Sequence, residues 1–422
     1  MNRAVDRLRT GSSGRVPAPR SDEPIVVTDE AVATRRPRAA KPKDTIVVPE
    51  PKASEPEASV VQTPAAEPVV AQPTPPPAAS PRRFTSPSAA AMFVARNYSL
   101  PILLGLSILL YSTWSQTATP FNSVANWREI ASSQAYTGVL TLGILIALTS
   151  GNFDLSIGNI TGLSSVMAAA SFSHWHFPLV AGIAFGIGVG AAVGFMNGFL
   201  TTTLRVDPFI ITLGTASIIL GFVDWYTRGQ AIINGVPSSL VTFGRTNFFG
   251  VPKLVWVLAL VALAIYYLLE HTPFGRTLHA IGSNRAAAKL VGIRVERSIT
   301  LAFVLTGAFA GVAGVMLLSY SGSGNPSIGP TFTLAALAAA FLGAVSFKVG
   351  RLNVPGTIVA IFFLSVNIHG LTYAGYQGWS AELFTGATLI LAVALVAVLS
   401  KERKAKRPTA SPSSAEQTRN PA

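Results

Sequence analysis

From Asn97 onward the chain alternates long apolar runs with short polar links. Ten runs stand out, at roughly 98–115, 130–149, 157–173, 178–202, 209–225, 252–269, 299–320, 331–346, 353–373 and 383–399. Each approaches the ~20 residues that cross ~30 Å of hydrocarbon as a helix. The pattern predicts an all-α polytopic membrane protein with about ten transmembrane helices over residues 96–400. The third run is short and rich in Ser and Gly, and only Phe347 to Leu352 separates the eighth from the ninth. These three are the candidates for broken or re-entrant helices, which are tolerated where protein covers the backbone. Gly182, Gly186, Gly190 and Gly194 share one helical face, as do Gly307, Gly311 and Gly314. Small faces let helix backbones approach closely in lipid. They serve either as fixed packing or as a sliding face during gating.

Residues 1–95 are a different material, built of Pro, Ala, Glu, Ser and Val with no periodic apolar face. Such a segment buries too little apolar surface to offset its ordering entropy. It reads as a disordered cytoplasmic tail. No apolar core follows its first basic residues, so it is not a secretory signal. Residues 401–422 read as a short cytoplasmic C-terminal tail.

Composition supports the membrane reading. The 422-residue chain is 50% hydrophobic but only 12% charged, about half the share usual in soluble domains. The net charge of +13 does not point to nucleic acid, because basic residues are not interleaved with aromatics. The cations flank the apolar runs instead. With ten spans and the tail inside, Arg205, Arg276, Arg285, Lys289, Arg294, Arg297, Lys348 and Arg351 fall on one side. Arg128, Arg228, Arg245 and Lys253 fall on the other. That excess puts both termini in the cytoplasm. Cysteine is absent, which excludes thiol chemistry and disulfides. His174 and His176 lie two apart, with no third metal ligand near in sequence.

Acidic residues are scarce after the tail, and Asp154 is the one set in an apolar context, within LTSGNFDLSIGNITGLSS. A carboxylate near hydrocarbon is costly unless paired, solvated or protonated. Two readings stand: Asp154 caps the following helix, or it lines a polar path. GNFDLSIGNITG also echoes GAVSFKVGRLNV at 343–354, pairing Gly151 with Gly343, Gly158 with Gly350 and Asp154 with Ser346. That echo suggests a parallel duplication. Asn152, Ser156, Asn197, Thr212, Thr215 and Asn367 complete the candidate translocation path. Their amides and hydroxyls would suit a sugar, although each taken singly reads first as an interhelical hydrogen bond. No series of acids and histidines crosses the membrane, which argues against a proton- or ion-coupled secondary transporter. No convergent nucleophile or metal set suggests a membrane enzyme.

Three segments carry a family resemblance. SGNFDLSIGNITGLSSVMAA, MNGFLTTTLRVDPFIITLGTASI and TPFGRTLHAIGSNRAAAKLVGIRV resemble, in order, segments of permeases of ATP-binding cassette importers for ribose, xylose and galactose. The departures are Asn152, Ser283 and Val291, which replace glycine, glycine and serine, and the bulky Phe347 and Lys348 in a later segment usually rich in glycine. The resemblance implies a permease homodimer in the bacterial inner membrane. It also implies a separate ATPase subunit and a periplasmic substrate-binding protein. ATP and Mg would sit on the ATPase, because this chain has no G-x-x-x-x-G-K-[ST] phosphate loop; the chain itself needs no cofactor. The third segment matches the ATPase docking loop. The residues carried over are Phe274, Gly275, Arg276, Gly282, Asn284, Ala287, Ala288, Leu290 and Gly292, with a short helix expected over Ala286 to Leu290. Branched-chain amino-acid and nucleoside permeases are the nearest alternatives.

Overall fold

The structure is a computed structural model, and it describes residues 97–376 and 378–405, with the side chains from 399 onward left out. The expected tail over 1–95, and residues 406–422 of the expected C-terminal tail, lie outside the described residues. The elements in chain order begin with α1 (Ser99–Thr113), α2 (Ala118–Phe121), α3 (Val124–Thr149), α4 (Ile157–Ser173), α5 (Leu179–Leu204), α6 (Pro208–Thr227) and α7 (Ser238–Arg245). A small hairpin of β1 (Asn247–Phe248) and β2 (Val251–Pro252) follows, paired antiparallel with Phe248 opposite Val251. The chain continues through α8 (Lys253–His271), α9 (Pro273–Ser283), α10 (Arg285–Leu290), α11 (Val295–Ser321), α12 (Gly329–Gly343), α13 (Val354–Tyr373) and α14 (Gly378–Ala405).

Every apolar run of the sequence forms a helix, but not every helix is a full span. Seven (α3, α5, α6, α8, α11, α13 and α14) are long and apolar enough to cross a membrane. The remaining three, α1, α4 and α12, have 15, 17 and 15 residues. At 1.5 Å per residue they reach only about 23–26 Å. Seven of the ten expected helices are therefore long enough to span, and three are shorter. The ninth run is not broken: α13 is continuous for 20 residues. The first run is cut short instead, because Trp114 leaves helical geometry at ψ 120°.

Local chemistry sets the helix starts. The Ser123 hydroxyl accepts from the Asn126 N–H at 3.1 Å at the head of α3. Asp207 accepts from the Phe209 N–H at 2.8 Å before α6, with Pro208 in the first turn. Asn353 accepts from the Gly356 N–H at 2.8 Å at the head of α13. Each satisfies a donor that the first helical turn would leave unpaired.

Helix α11 is the axis of the bundle and packs against α5, α3 and α4. Its closest partner is α5, whose buried face is Gly182, Gly186, Gly190, Gly194, Asn197, Gly198 and Thr201. A β-carbon on Gly311 would stand 2.8 Å from Ile187 Cα and 3.0 Å from its carbonyl oxygen. The two glycine faces are therefore in backbone contact. Helices α12, α13 and α14 form a neighbouring group, with α1 against α13.

Contacts across the bundle define its two ends. At one end Gly282 lies against Thr149 and Gly151. At that same end Phe347 N–H donates to the Asn97 carbonyl at 2.8 Å, and Lys348 pairs with Glu270 at 2.6 Å. At the other end Tyr320 donates to the Glu129 carboxylate, and Arg245 donates to the Tyr320 and Ser321 carbonyls. The proposed sequence echo does not extend to the backbone. Gly151 has φ +80° and Gly350 φ +76°, but their counterparts Gly343 and Gly158 are helical.

Candidate functional site

Three polar features sit in this frame. The first is the link between α3 and α4. Asp154 is 0% exposed. Its Oδ1 accepts from the Ser156 N–H at 2.9 Å and from the Ser156 hydroxyl at 2.6 Å. The Asn197 amide donates to the same hydroxyl at 2.8 Å, and the Thr215 hydroxyl donates to Asn197 Oδ1 at 2.7 Å. Beside them the Leu155 N–H donates to the Thr212 hydroxyl at 3.1 Å. One buried chain of bonds thus ties the link to α5 and α6. It leaves Asp154 Oδ2 without a protein partner, an exception of the kind that marks strain or an unseen ligand. Asn152 lies next to this chain, its amide on the Ser150 hydroxyl at 2.6 Å. Asn367 is elsewhere and donates to Ser107 of α1 at 3.2 Å and to the Phe363 carbonyl. The structure therefore brings together six of the seven candidate path residues and sets Asn367 apart.

The second feature is the loop between α8 and α11. The Thr272 hydroxyl accepts from the Gly275 N–H at 3.2 Å and starts α9. Leu278 and Ile281 of α9 are buried, and Phe274 packs on the main core. A β-carbon on Gly282 would overlap the carbonyl oxygen of Thr149, so α9 rests directly on the end of α3. Asn284 accepts from the Ala287 N–H at 3.0 Å and starts α10, close to the short helix expected there. Ala288 is buried against Ile281, Val295, Ile299 and Phe303, while Ala287 faces out. Gly292 turns the chain at φ +81°. Leu290 and its neighbour Val291 are 89% and 77% exposed. They form an exposed apolar pair at the end of a helix that is otherwise held in place by Ala288. Sequence reasoning included Leu290 but treated Val291 only as a departure.

Burial, with the cations Arg351 and Lys348 nearby, holds the His279 imidazole of α9 below its ordinary value, and Glu270 pulls the other way.

The third feature was missed by the sequence reading. A cavity of about 640 Å³ lies between α3, α12, α13 and α14. Glu129, Ser133, Gln134 and Thr137 line it from α3, Ser365 and His369 from α13, and Glu382 and Thr385 from α14. Apolar wall is supplied by Phe332, Leu334, Ile361 and Leu364. A largely apolar chamber with a few placed polar groups is the usual form of a small-molecule site. None of the candidate path residues lines it. The signal for it was periodicity: Glu129, Ser133 and Thr137 recur every four residues, Ser365 and His369 are four apart, and Glu382 and Thr385 three apart. Residues at these spacings share one face of their helix.

Comparison with known proteins matches most of the described bundle in sequence. Residues 127–393 match a family of permease components described as the branched-chain amino acid transport system. The ribose import permease protein RbsC of Escherichia coli is 30% identical over 289 residues, covering 68% of this chain and 90% of the relative. The galactose/methyl galactoside import permease MglC of Haemophilus influenzae is 30% identical over 315 residues, covering 71% and 92%. The autoinducer 2 import system permease LsrC of Yersinia pseudotuberculosis is 29% identical over 298 residues, covering 71% and 84%. No solved structure matches the chain. The matched region spans the helical bundle, from the head of α3 into α14, and includes the buried link and the α9–α10 loop. The chain therefore belongs to the family of multi-pass importer permeases that includes these monosaccharide permeases.

Proposed function

We propose that the chain is the permease subunit of an ATP-binding cassette importer for a monosaccharide or related polyol, with the α3–α12–α13–α14 cavity on its translocation path. The match to nearly the full length of the ribose and galactose permeases carries this reading. The cavity's hydroxyls and carboxylates would accept and donate to sugar hydroxyls, and its apolar wall would meet a sugar's C–H face. The α9–α10 loop would dock a separate ATPase subunit, which would hold ATP and Mg. A substrate-binding protein would deliver the sugar to the opposite end of the bundle. Two copies of this chain would form the transmembrane unit in a bacterial inner membrane. We place ten crossings in each copy, the three short helices serving as spans where neighbouring helices cover their ends. The end carrying α9 has the excess of cations, so both termini would be cytoplasmic.

The test is uptake of labelled pentoses and hexoses by cells expressing the permease with its ATPase and binding protein. Uptake should need the ATPase. It should fall at least tenfold when Thr137→Leu and Ser365→Leu fill the cavity, with membrane levels unchanged. Uptake that persists without the ATPase would refute the proposal.

A further inference from the structure

A second concavity, of about 260 Å³, lies at the α9 end of the bundle. Arg276 and His279 of α9 form one wall, Lys348 and Arg351 of the α12–α13 link another, and Glu270 closes it. Three permanent cations thus surround one carboxylate, and Glu270 is already paired with Lys348 at 2.6 Å. Arg276 and Arg351 meet no further carboxylate in the pocket wall. Cations gathered this way repel one another unless an anion joins them.

The link that carries Lys348 and Arg351 is held in place. The Ser346 hydroxyl and the Phe347 N–H both donate to the Asn97 carbonyl at 2.8 Å. The Asn353 amide donates to the carbonyls of Gly343, Ser346 and Arg351 at 3.0–3.1 Å. Phe347 sits at φ +59°, a conformation that a bulky residue keeps only where its surroundings impose it. The pocket is also continuous with an apolar surface. Leu260, Leu263 and Tyr267 of α8 are all exposed. Their spacing of three and four residues makes one stripe that leads to Glu270.

We infer that this pocket binds the phosphodiester headgroup of an anionic phospholipid, whose acyl chains lie along the α8 stripe. The guanidinium forks of Arg276 and Arg351 match phosphate oxygens in geometry as well as charge. The stripe favours a lipid over a free anion, which would make no use of it. A choline lipid shares the phosphate but brings a quaternary ammonium among three cations, so an anionic headgroup is preferred.

The test uses the full chain purified in detergent. Binding of phosphatidylglycerol and of phosphatidylcholine is compared by native mass spectrometry, with inorganic phosphate tested separately by thermal shift. Phosphatidylglycerol should bind preferentially. Arg351→Gln should weaken it about tenfold, as expected for loss of a charge-assisted hydrogen bond. Glu270→Gln removes the pocket's carboxylate and should tighten binding severalfold. Two variants moving in opposite directions cannot both result from misfolding. Arg297→Gln, a cation near the same end but outside the pocket, should leave binding unchanged. Equal binding of the two lipids, no effect of Arg351→Gln, or weaker binding by Glu270→Gln would overturn the inference. Stabilisation by inorganic phosphate with no phosphatidylglycerol binding would also overturn it, in favour of a soluble anion.

Discussion

Glycine-to-alanine substitution tests the α5–α11 contact directly, because the same change should have opposite signs at two positions. In a helix interior, alanine is favoured over glycine by about 1 kcal/mol. At Gly188 of α5 a β-carbon would meet nothing within 4 Å, so Gly188→Ala should gain up to that amount. At Gly311 of α11 the β-carbon would lie 2.8 Å from Ile187 Cα, 3.0 Å from its carbonyl oxygen and 3.2 Å from that of Gly186. Carbon atoms in contact normally sit ~3.5–4.0 Å apart. The helices must therefore separate by up to about 1 Å, against rigid backbone rather than a flexible side chain. Overpacking of this kind costs about 1–3 kcal/mol. Propensity is common to both variants and cancels, so Gly311→Ala should be less stable than Gly188→Ala by about 1–3 kcal/mol. The assay is thermal unfolding of the full chain in one detergent at one scan rate, since membrane-protein transitions depend on rate. Equal stability of the two variants would show that the helices do not touch through their glycine faces.

Three further outcomes follow from the polar features. Replacing Leu290 and Val291 with Ser should reduce ATPase co-purification about tenfold or more while leaving thermal stability unchanged, because both side chains already face water. His279 has a folded pKa below its ordinary value, so the unfolded chain binds the extra proton first and stability should fall as pH drops through the usual imidazole range; His279→Gln should lose less thermal stability than the parent chain between pH 7.5 and 5.5, a range chosen to straddle roughly pH 6.5. Asp154→Ala should lower uptake more than Asp154→Asn, since Asn keeps an oxygen for the Ser156 N–H and hydroxyl.

Helix positions were legible because lipid removes most alternatives to an apolar helix. Span lengths were less so. Trp114 ends α1 close to where the apolar composition itself gives way to Ser115, Gln116 and Thr117, so an apolar run of nearly full length yields a helix of only 15 residues. In the α9–α10 loop the expected short helix forms, with Asn284 as its cap, but α9 was not anticipated, although Thr272 caps it; the seating of Gly282 on Thr149 is a tertiary contact with no local signature. The cavity was hidden for the same reason. Glu129, Ser365 and Glu382 belong to three helices and converge only through tertiary packing. Asp154 drew attention as a lone acid in an apolar segment. Glu129 and Glu382 lie near helix starts, where an acid is ordinarily unremarked, so their shared chamber had no linear signature beyond the spacing of polar residues within each helix.

The position of α9 gives the α9–α10 loop two mechanical outlets. Its Gly282 lies on the end of α3 with no room for a β-carbon, so displacement of α9 towards α3 cannot be absorbed by side-chain rearrangement. Its Arg276 and His279 face Lys348 and Arg351 on the link between α12 and α13. Helix α3 forms one wall of the large cavity, and α12 and α13 form the facing one. Both walls therefore end at the same short helix, one through backbone contact and the other through a charged pocket. These contacts differ in stiffness. Backbone against backbone is incompressible on the scale of a few tenths of an ångström, whereas like charges around a pocket change their separation at much lower cost. A load applied to α9 thus moves the α3 wall first and the α12–α13 wall only as far as the pocket resists. The occupant of that pocket sets how evenly the load is shared.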